Sequence, residues 1–269
     1  MSHVHSTLVK GLAVLDWLIR QQRGCRVADV ALAFGMARSN AHRILHTLAE
    51  CGWARQDERT SAYRASLRVF ELGALIESAA GVRWLLRSHL ALLARETGET
   101  IHLAALDGTE IVYLDKFGSP LPVIAYSRVG GRAPAYCVAS GKALLAAGAL
   151  ARESLREGLG VLRPQTPNTL TDFDALWADL ERTRARGYAE NREEWRVGVC
   201  GLGAPVFNAL NEPVAAVGVT VPSIRFARPR VRQLADRLLA CARDARATLG
   251  YGSVGQAPAL DSAASVKRR

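Results

Sequence analysis

The sequence predicts an α+β chain. An N-terminal winged helix-turn-helix leads through a linker helix to a larger C-terminal part with a central antiparallel sheet. Three observations predict it. Residues 37–50, ARSNAHRILHTLAE, place Ala41, Ile44, Leu45 and Leu48 at the spacing of one buried helical stripe. A short apolar segment precedes that stretch across a glycine turn, and a polar hairpin follows it. From Gly98 the apolar period changes from helical to strand-like, with an Asp-Gly turn between two apolar runs.

Residues 1–5 are expected to form a loose arm. Ser6 or Thr7 can cap a helix reaching about Gln21, with Leu8, Leu12, Leu15, Leu18 and Ile19 at helical spacing and Gly24 ending it. Residues 28–33, the turn Phe34-Gly35-Met36 and residues 37–50 then make a helix-turn-helix. The polar side of its second helix carries Arg38, Ser39, Asn40, His42, Arg43, His46 and Thr47, with no acid before Glu50. Such a donor-rich face suits a DNA major groove, although a solvated amphipathic helix has the same pattern when taken alone. Gly52 ends the helix. Residues 53–56 and 62–65 read as short strands around the polar turn 57–61. This wing carries Arg59 at its tip and Arg55 and Arg64 behind it, arginines placed for phosphate or the minor groove, or simply for solvent. Helix, turn, helix and wing in this order are more specific than any one piece. Residues 67–77, with Leu67, Phe70, Leu72 and Leu75, read as a connecting helix.

In the second part, residues 82–96 form a helix that is apolar on more than one side, through Trp84, Leu85, Leu86, Leu90, Leu92 and Leu93. It suits either a core or a subunit interface. Strands are expected at 101–106 and 110–117 around Asp107-Gly108, and at 123–129. The run Gly130-Gly131-Arg132-Ala133-Pro134 breaks the last of these. Residues 142–149 are helical, with Ala139-Ser140-Gly141 just before them. Thr171 caps a helix over 172–186 that has acids in its first turn and arginines in its last, and Gly187 stops it. Strands 197–206 and 214–221 flank the turn 208–212, and Pro229 opens a helix to about Leu249. Residues 252–269, rich in Ala, Ser, Gly and Pro, are expected to be disordered.

Composition limits the function. The net charge of +10 favours polyanionic partners. It is spread along the chain, however: residues 1–80 hold 10 Lys/Arg against 7 Asp/Glu, and residues 81–252 hold 22 against 17. The nucleic-acid argument therefore rests on the helix and the wing. The five cysteines, Cys25, Cys51, Cys137, Cys200 and Cys241, are scattered without a C-x-x-C pair. This argues against a zinc module or a disulfide framework and fits a reducing cytoplasm. No secretion signal or membrane span is evident, and no metal or cofactor is expected.

Two glycine motifs fail. Ser140-Gly141-Lys142 has Tyr136 where a phosphate-binding loop needs glycine, and Ala143 where it needs Ser/Thr. Gly198, Gly201 and Gly203 have the wrong spacing for a dinucleotide fingerprint and continue as strand. An enzyme would have to pair Cys137 or Cys200 with His102, and nothing in the sequence joins them, so no catalytic residue is assigned.

The assembled pattern resembles the isocitrate-lyase-regulator (IclR) family of bacterial transcription regulators over about residues 6–250. VKGLAVLDWL, MARSNAHRILHTLAECGWARQD and YRASLRVFELG carry the resemblance in the first part. RETGETIHLAALDGTEIVYLDKF, YSRVGGRAP, ASGKALLA, TPNTLTD and RARGYAENREEWRVGVCGLGAPVF carry it in the second. It implies a DNA-binding domain at 1–66, a linker helix at 67–81, a GAF/PAS-like α/β effector and oligomerisation domain at 82–251, and a tail at 252–269. It also implies homodimers or homotetramers on a palindromic double-stranded DNA operator, controlled by a small-molecule effector. DNA contact falls to Arg38, Ser39, Asn40, His42, Arg43, His46 and Arg59.

The positions that surround the effector in that family are Ala139, Ser140, Gly141, Asn191, Glu194, Cys200, Gly201, Gly218 and Thr220, with Tyr126 and Tyr136 as further walls. The N–H groups of residues 139–141 favour an anion, so an organic carboxylate is expected. This chain departs from the family there: Cys is common at Gly201, Asp at Asn191 and Ser at Gly218. The two glycines either leave room for a ligand larger than a two-carbon acid, aromatic or medium-chain, or merely allow strand packing. Two other readings stand beside the regulator: a cytosolic enzyme with an appended DNA-binding domain, and a basic scaffold whose second domain only dimerises.

Overall fold

The computed structural model describes residues 6–21, 23–72, 81–121 and 128–252. The chain divides into two compact units, Met1–Ala80 and Gly81–Arg269. The expectations for the N-terminal arm, the strand over 123–127, Tyr126 and the tail beyond residue 252 lie outside the described residues.

The first unit contains α1 (Ser6–Arg20), α2 (Val27–Ala33), α3 (Arg38–Glu50), β1 (Ala54–Gln56) and β2 (Tyr63–Ala65). Its core gathers Val14 and Leu18 of α1, Val30 and Ala31 of α2, Ala41 and Leu45 of α3, and Cys25, Ala54 and Tyr63. Ile44 and Leu48 pack at its edge, so the four-residue stripe of α3 lies where its spacing puts it. On α1 the expected stripe splits. Leu15 and Leu18 are buried, whereas Leu8, Leu12 and Ile19 are exposed. The turn from α2 to α3 needs Gly35 at φ +58°, and α3 ends before Gly52 at φ +78°. Arg68 closes that end, donating from Nη1 to the Cys51 carbonyl at 2.9 Å with its guanidinium over the Trp53 ring. Residues 68–72 are helical, and the rest of the expected connecting helix lies outside the described residues.

The second unit is a six-stranded antiparallel sheet in the order β5-β4-β3-β8-β7-β6. Its strands are β3 (Thr100–Asp107), β4 (Glu110–Phe117), β5 (Arg132–Pro134), β6 (Ala189–Arg192), β7 (Val199–Phe207) and β8 (Pro213–Pro222). The helices are α4 (Val82–Thr97), α5 (Ala139–Ala147), α6 (Arg152–Leu159), α7 (Phe173–Arg186) and α8 (Arg228–Gly252). Strand alternation divides the core between two faces. Ile101, Leu103, Leu202 and Val217 join Leu86 and Leu90 of α4 and Leu234 and Leu238 of α8. On the other face Ala104, Ile111 and Ala216 meet Leu144 of α5 and Leu176 and Leu180 of α7. Trp84 of α4 stays 80% exposed, so this helix buries only one of its apolar sides within the unit.

Several local expectations need correction. The β3–β4 loop is Gly108-Thr109, one residue later than expected, because Asp107 pairs with Glu110 and Gly108 takes the positive φ. Arg128 and Val129 are not strand. Arg132–Pro134 is one, on a sheet edge where proline's missing N–H costs no ladder bond. Ala139, Ser140 and Gly141 are the first turn of α5 rather than a loop before it. Asp172, not Thr171, caps α7, accepting from the Ala175 N–H at 2.8 Å. The short α6 and β6 lack the repeated apolar pattern that marks the other elements.

Candidate functional site

Two places collect polar groups that bear on function. The first is the outer face of α3. Arg38, Ser39, Asn40, His42, Arg43, His46 and Thr47 are all exposed. Arg43 donates to Asn40 Oδ1 at 2.8 Å, which ties two donor-bearing side chains together, and His42 and His46 lie one turn apart with ring centres 6.1 Å from each other. In the wing, Arg55 pairs directly across the ladder from Arg64, and both are exposed. Like charges at opposed positions repel, so the hairpin tolerates this pair at a cost that a polyanion would remove. Arg59 is exposed at the tip. The Asp57 carboxylate shapes that turn by accepting from the Arg59 and Thr60 amides and the Thr60 hydroxyl.

The second place is a cavity of about 260 Å³ between the sheet and the first turn of α5. Small residues let helix and sheet close together. A Cβ on Gly203 would stand 2.5 Å from both the Ala139 carbonyl oxygen and the Ser140 nitrogen. Seven of the expected ligand residues line the cavity: Ala139, Ser140, Asn191, Cys200, Gly201, Gly218 and Thr220. Gly218 fits the expectation of extra room, since an added Cβ would meet Ser140 only at 3.7 Å. Gly201 does not: its Cβ would press on the Val219 carbonyl at 2.9 Å, so that glycine permits close packing.

Three expected residues lie elsewhere. Gly141 packs against the Ala135 backbone, where no side chain fits. The Tyr136 hydroxyl donates to the Arg163 carbonyl at 2.8 Å, and its ring belongs to the core. Glu194 is buried beneath the cavity wall, accepting two hydrogen bonds of 2.8 Å from Lys142 Nζ. Asp179 Oδ2 also lies 2.8 Å from that ammonium, out of line for a hydrogen bond. Lys142 is 1% exposed, so this is a buried ion triad tying α5, α7 and the β6–β7 loop. Burial raises the Glu194 carboxyl above its usual range against the pull of Lys142. For Asp179 the upward push of burial is outweighed by Lys142 and Arg182, which hold it below that range.

The cavity also takes residues that sequence reasoning missed: His102, Tyr113, Arg128, Arg132, Trp195 and Arg196. One signal was available, since His102 interrupts an apolar strand. Burial pushes the His102 imidazole down to about 3, with the Lys116 charge adding to the effect, so it is neutral. Its Nδ1 lies 3.2 Å from the Thr220 hydroxyl. Three arginines line the cavity and no carboxylate does. Burial also raises the thiols, Cys200 above its usual range and Cys137 to about 12, which leaves both protonated.

A winged helix-turn-helix with a free donor face, joined to a sheet domain that holds a small cationic cavity, defines a DNA-binding transcriptional regulator with a small-molecule effector domain. The family model described as the bacterial transcriptional regulator IclR C-terminal domain matches residues 76–247, and the IclR helix-turn-helix domain matches residues 7–58. The chain belongs to the IclR family. It is 32% identical to the HTH-type transcriptional regulator XynR of Escherichia coli K12 over 243 residues, covering 90% of this chain and 96% of that one. The crystal structure of Thermotoga maritima IclR superposes with a TM-score of 0.76 at 32% identity, covering 91% of this chain and 99% of that one. An IclR homologue from Microbacterium hydrocarbonoxydans, solved with 4-hydroxybenzoate, shares the fold at 24% identity and a TM-score of 0.75, covering 91% and 99%. Among the described residues no helix is long and apolar enough to cross a membrane, and no cluster of three or more His, Cys, Asp or Glu is placed for a metal.

Proposed function

We propose that an organic carboxylate binds in the cavity and thereby changes the affinity of a homodimer for a palindromic operator. The observation that carries this reading is the lining itself, with three arginines, the first turn of a helix and no acid. Helix N-termini and arginines both favour anions. The volume is a little under the ~300–1,000 Å³ of common ligand pockets, which fits a small metabolite.

On the DNA side, Arg38, Ser39, Asn40, His42, Arg43 and His46 face the major groove and Arg59 reaches the backbone or the minor groove. One such helix reads few bases, so a symmetric pair is the physical expectation. The exposed Leu8, Leu12 and Ile19 of α1, with Leu67 and Phe70, supply apolar surface for that pairing. We read residues 1–66 as the DNA-binding domain, 67–81 as the linker and 82–251 as the effector domain. The neutral, buried thiols and imidazole favour a binding role over a catalytic one.

A ligand shifts DNA affinity only if it prefers one of the two arrangements of the dimer. The test is calorimetry on the full chain with 4-hydroxybenzoate, benzoate, hexanoate and their neutral amides, paired with operator titrations. Acids binding better than amides, with a change in operator affinity, supports the reading. Amides binding equally well removes the anion site.

A further inference from the structure

We infer that the cavity takes an acid with two anionic groups at opposite ends, a dicarboxylate rather than a monocarboxylate. This rests on the reading of the cavity as the effector site and adds the class of ligand.

The first anionic position is the start of α5. Val138, Ala139 and Ser140 are only 5–6% exposed, and Val138 at the N-cap position brings no side chain to cap the helix. The first-turn N–H groups of a helix have no partners within it, so a buried, uncapped start leaves donors unmet. Ser140 and Asn191 line the same cavity and are each 5% exposed, and with no partner among the described residues Ser140 Oγ and Asn191 Nδ2 stay open to the cavity space. Asn191 uses only its oxygen, which accepts from the Glu194 N–H. Donors open to the cavity in this way favour a ligand that accepts from them.

The second position lies across the sheet, at Tyr113 on β4. A Cβ on Gly131 would touch both Arg128 Cγ, at 3.2 Å, and Tyr113 Cδ2, at 3.7 Å, so Arg128 stands beside that ring. The Arg196 charge also acts on the Tyr113 hydroxyl, which burial pushes up to about 12. Arg132 is held by Asp107 and Glu110, but neither Arg128 nor Arg196 has an acid partner among the described residues. Both are exposed and form the rim of the cavity.

The two positions are separated by β3. Tyr113 is on β4, whereas Gly218, which faces Ser140, is on β8, two strand spacings or roughly 10 Å away. Neutral His102 stands on β3 between them and repels neither end. A ring or a short chain carrying a carboxylate at each end matches this arrangement. One carboxylate accepts from the α5 amides, Ser140 and Asn191, and the other meets Arg128 and Arg196.

The test is calorimetry of the full-length protein with terephthalate, its monoamide and benzoate, and with adipate against hexanoate. The wild type is compared with Arg128→Gln and Arg196→Gln, and thermal melting is used to confirm that the variants are folded. The expected result is at least about tenfold tighter binding of a dicarboxylate than of its monoacid, a charge-assisted preference that shrinks in high salt because the rim is exposed. Each arginine variant is expected to lose most of that preference, because the diacid loses far more affinity than the monoacid. Monoacids binding as tightly as diacids, or a preference that survives in both variants, overturns the inference and leaves the cavity as a carboxylate site. Binding by none of the acids overturns both.

Discussion

The side chains on the polar face of α3 are exposed, whereas Ser140 and Asn191 of the cavity are each 5% exposed and place their donors toward the cavity space. Water satisfies the first set until DNA displaces it, so those side chains add almost nothing to folding. On the proposed reading their energy is realised on a polyanion and should weaken as salt rises. The second set faces an enclosed cavity rather than bulk water, and it is held in place by packing that the fold needs. Changes in the sheet domain should therefore be felt first in stability, and changes on α3 or the wing first in DNA affinity.

The largest test of this division is Lys142→Met. It leaves Glu194 and Asp179 facing each other without their cation, and breaking a buried pair in this way costs about 3–5 kcal/mol. Urea unfolding of the effector domain should show that loss. An unchanged midpoint would mean that the triad is not closed in solution.

Acid provides the next test. His102 is neutral in the folded state, with its pKa depressed to about 3, but takes up a proton near 6.5 when unfolded. Its contribution to stability is complete above pH 6.5 and is lost as the pH falls toward 3. Between pH 6.5 and pH 5 that loss amounts to about 2 kcal/mol. His102→Gln should flatten the melting temperature over this interval relative to wild type, and parallel curves for the two proteins would contradict the buried neutral state.

On the exposed side the effects move from folding to binding. Arg43→Ala should leave melting within about 0.5 kcal/mol of wild type, as surface changes do. If Arg43 reads a base, the variant should weaken operator binding by roughly 1–3 kcal/mol. Footprinting and melting on the same sample separate the two. Unchanged affinity would remove Arg43 from the interface.

The wing should give the smallest change. Replacing Arg55, Arg59 and Arg64 with alanine should weaken all DNA sequences alike and lower the salt slope by about one unit per lost phosphate contact. Relief of the Arg55–Arg64 opposition should also stabilise the hairpin slightly. An unaltered slope would leave these arginines as solvated side chains.

The same division governs what could be read from sequence. α3 and its wing depend on neighbours within a few residues: Ala41 and Leu45 at helical spacing, Gly35 and Gly52 at positive φ, and strands of three residues. That part was legible nearly residue by residue. The cavity depends on register across the sheet. His102 faces Gly218 only because β3 pairs with β8, and Tyr113 stands beside Arg128 only through the fold of the chain around β5. Asn191 sits on an edge strand of Glu, Asn and Arg that carries no alternating apolar signal. Seven of the residues taken from the family pattern line this cavity, and Gly141, Tyr136 and Glu194 do not. It marked blocks of sequence without distinguishing side chains that face the cavity from those that buttress it.

Gly203 is not part of the cavity lining, yet one added methyl group there would collide with the backbone of Ala139 and Ser140. Backbone cannot swing aside as a side chain can, so Gly203→Ala must tilt the start of α5 or deform β7. Either response re-aims the first-turn amides without altering any side chain in the cavity. A search for mutants blind to the effector should therefore recover changes beneath the helix as well as around the ligand. Swapping lining residues alone would not be enough to redesign specificity, since the orientation of the helix is set from below by the absence of a single carbon.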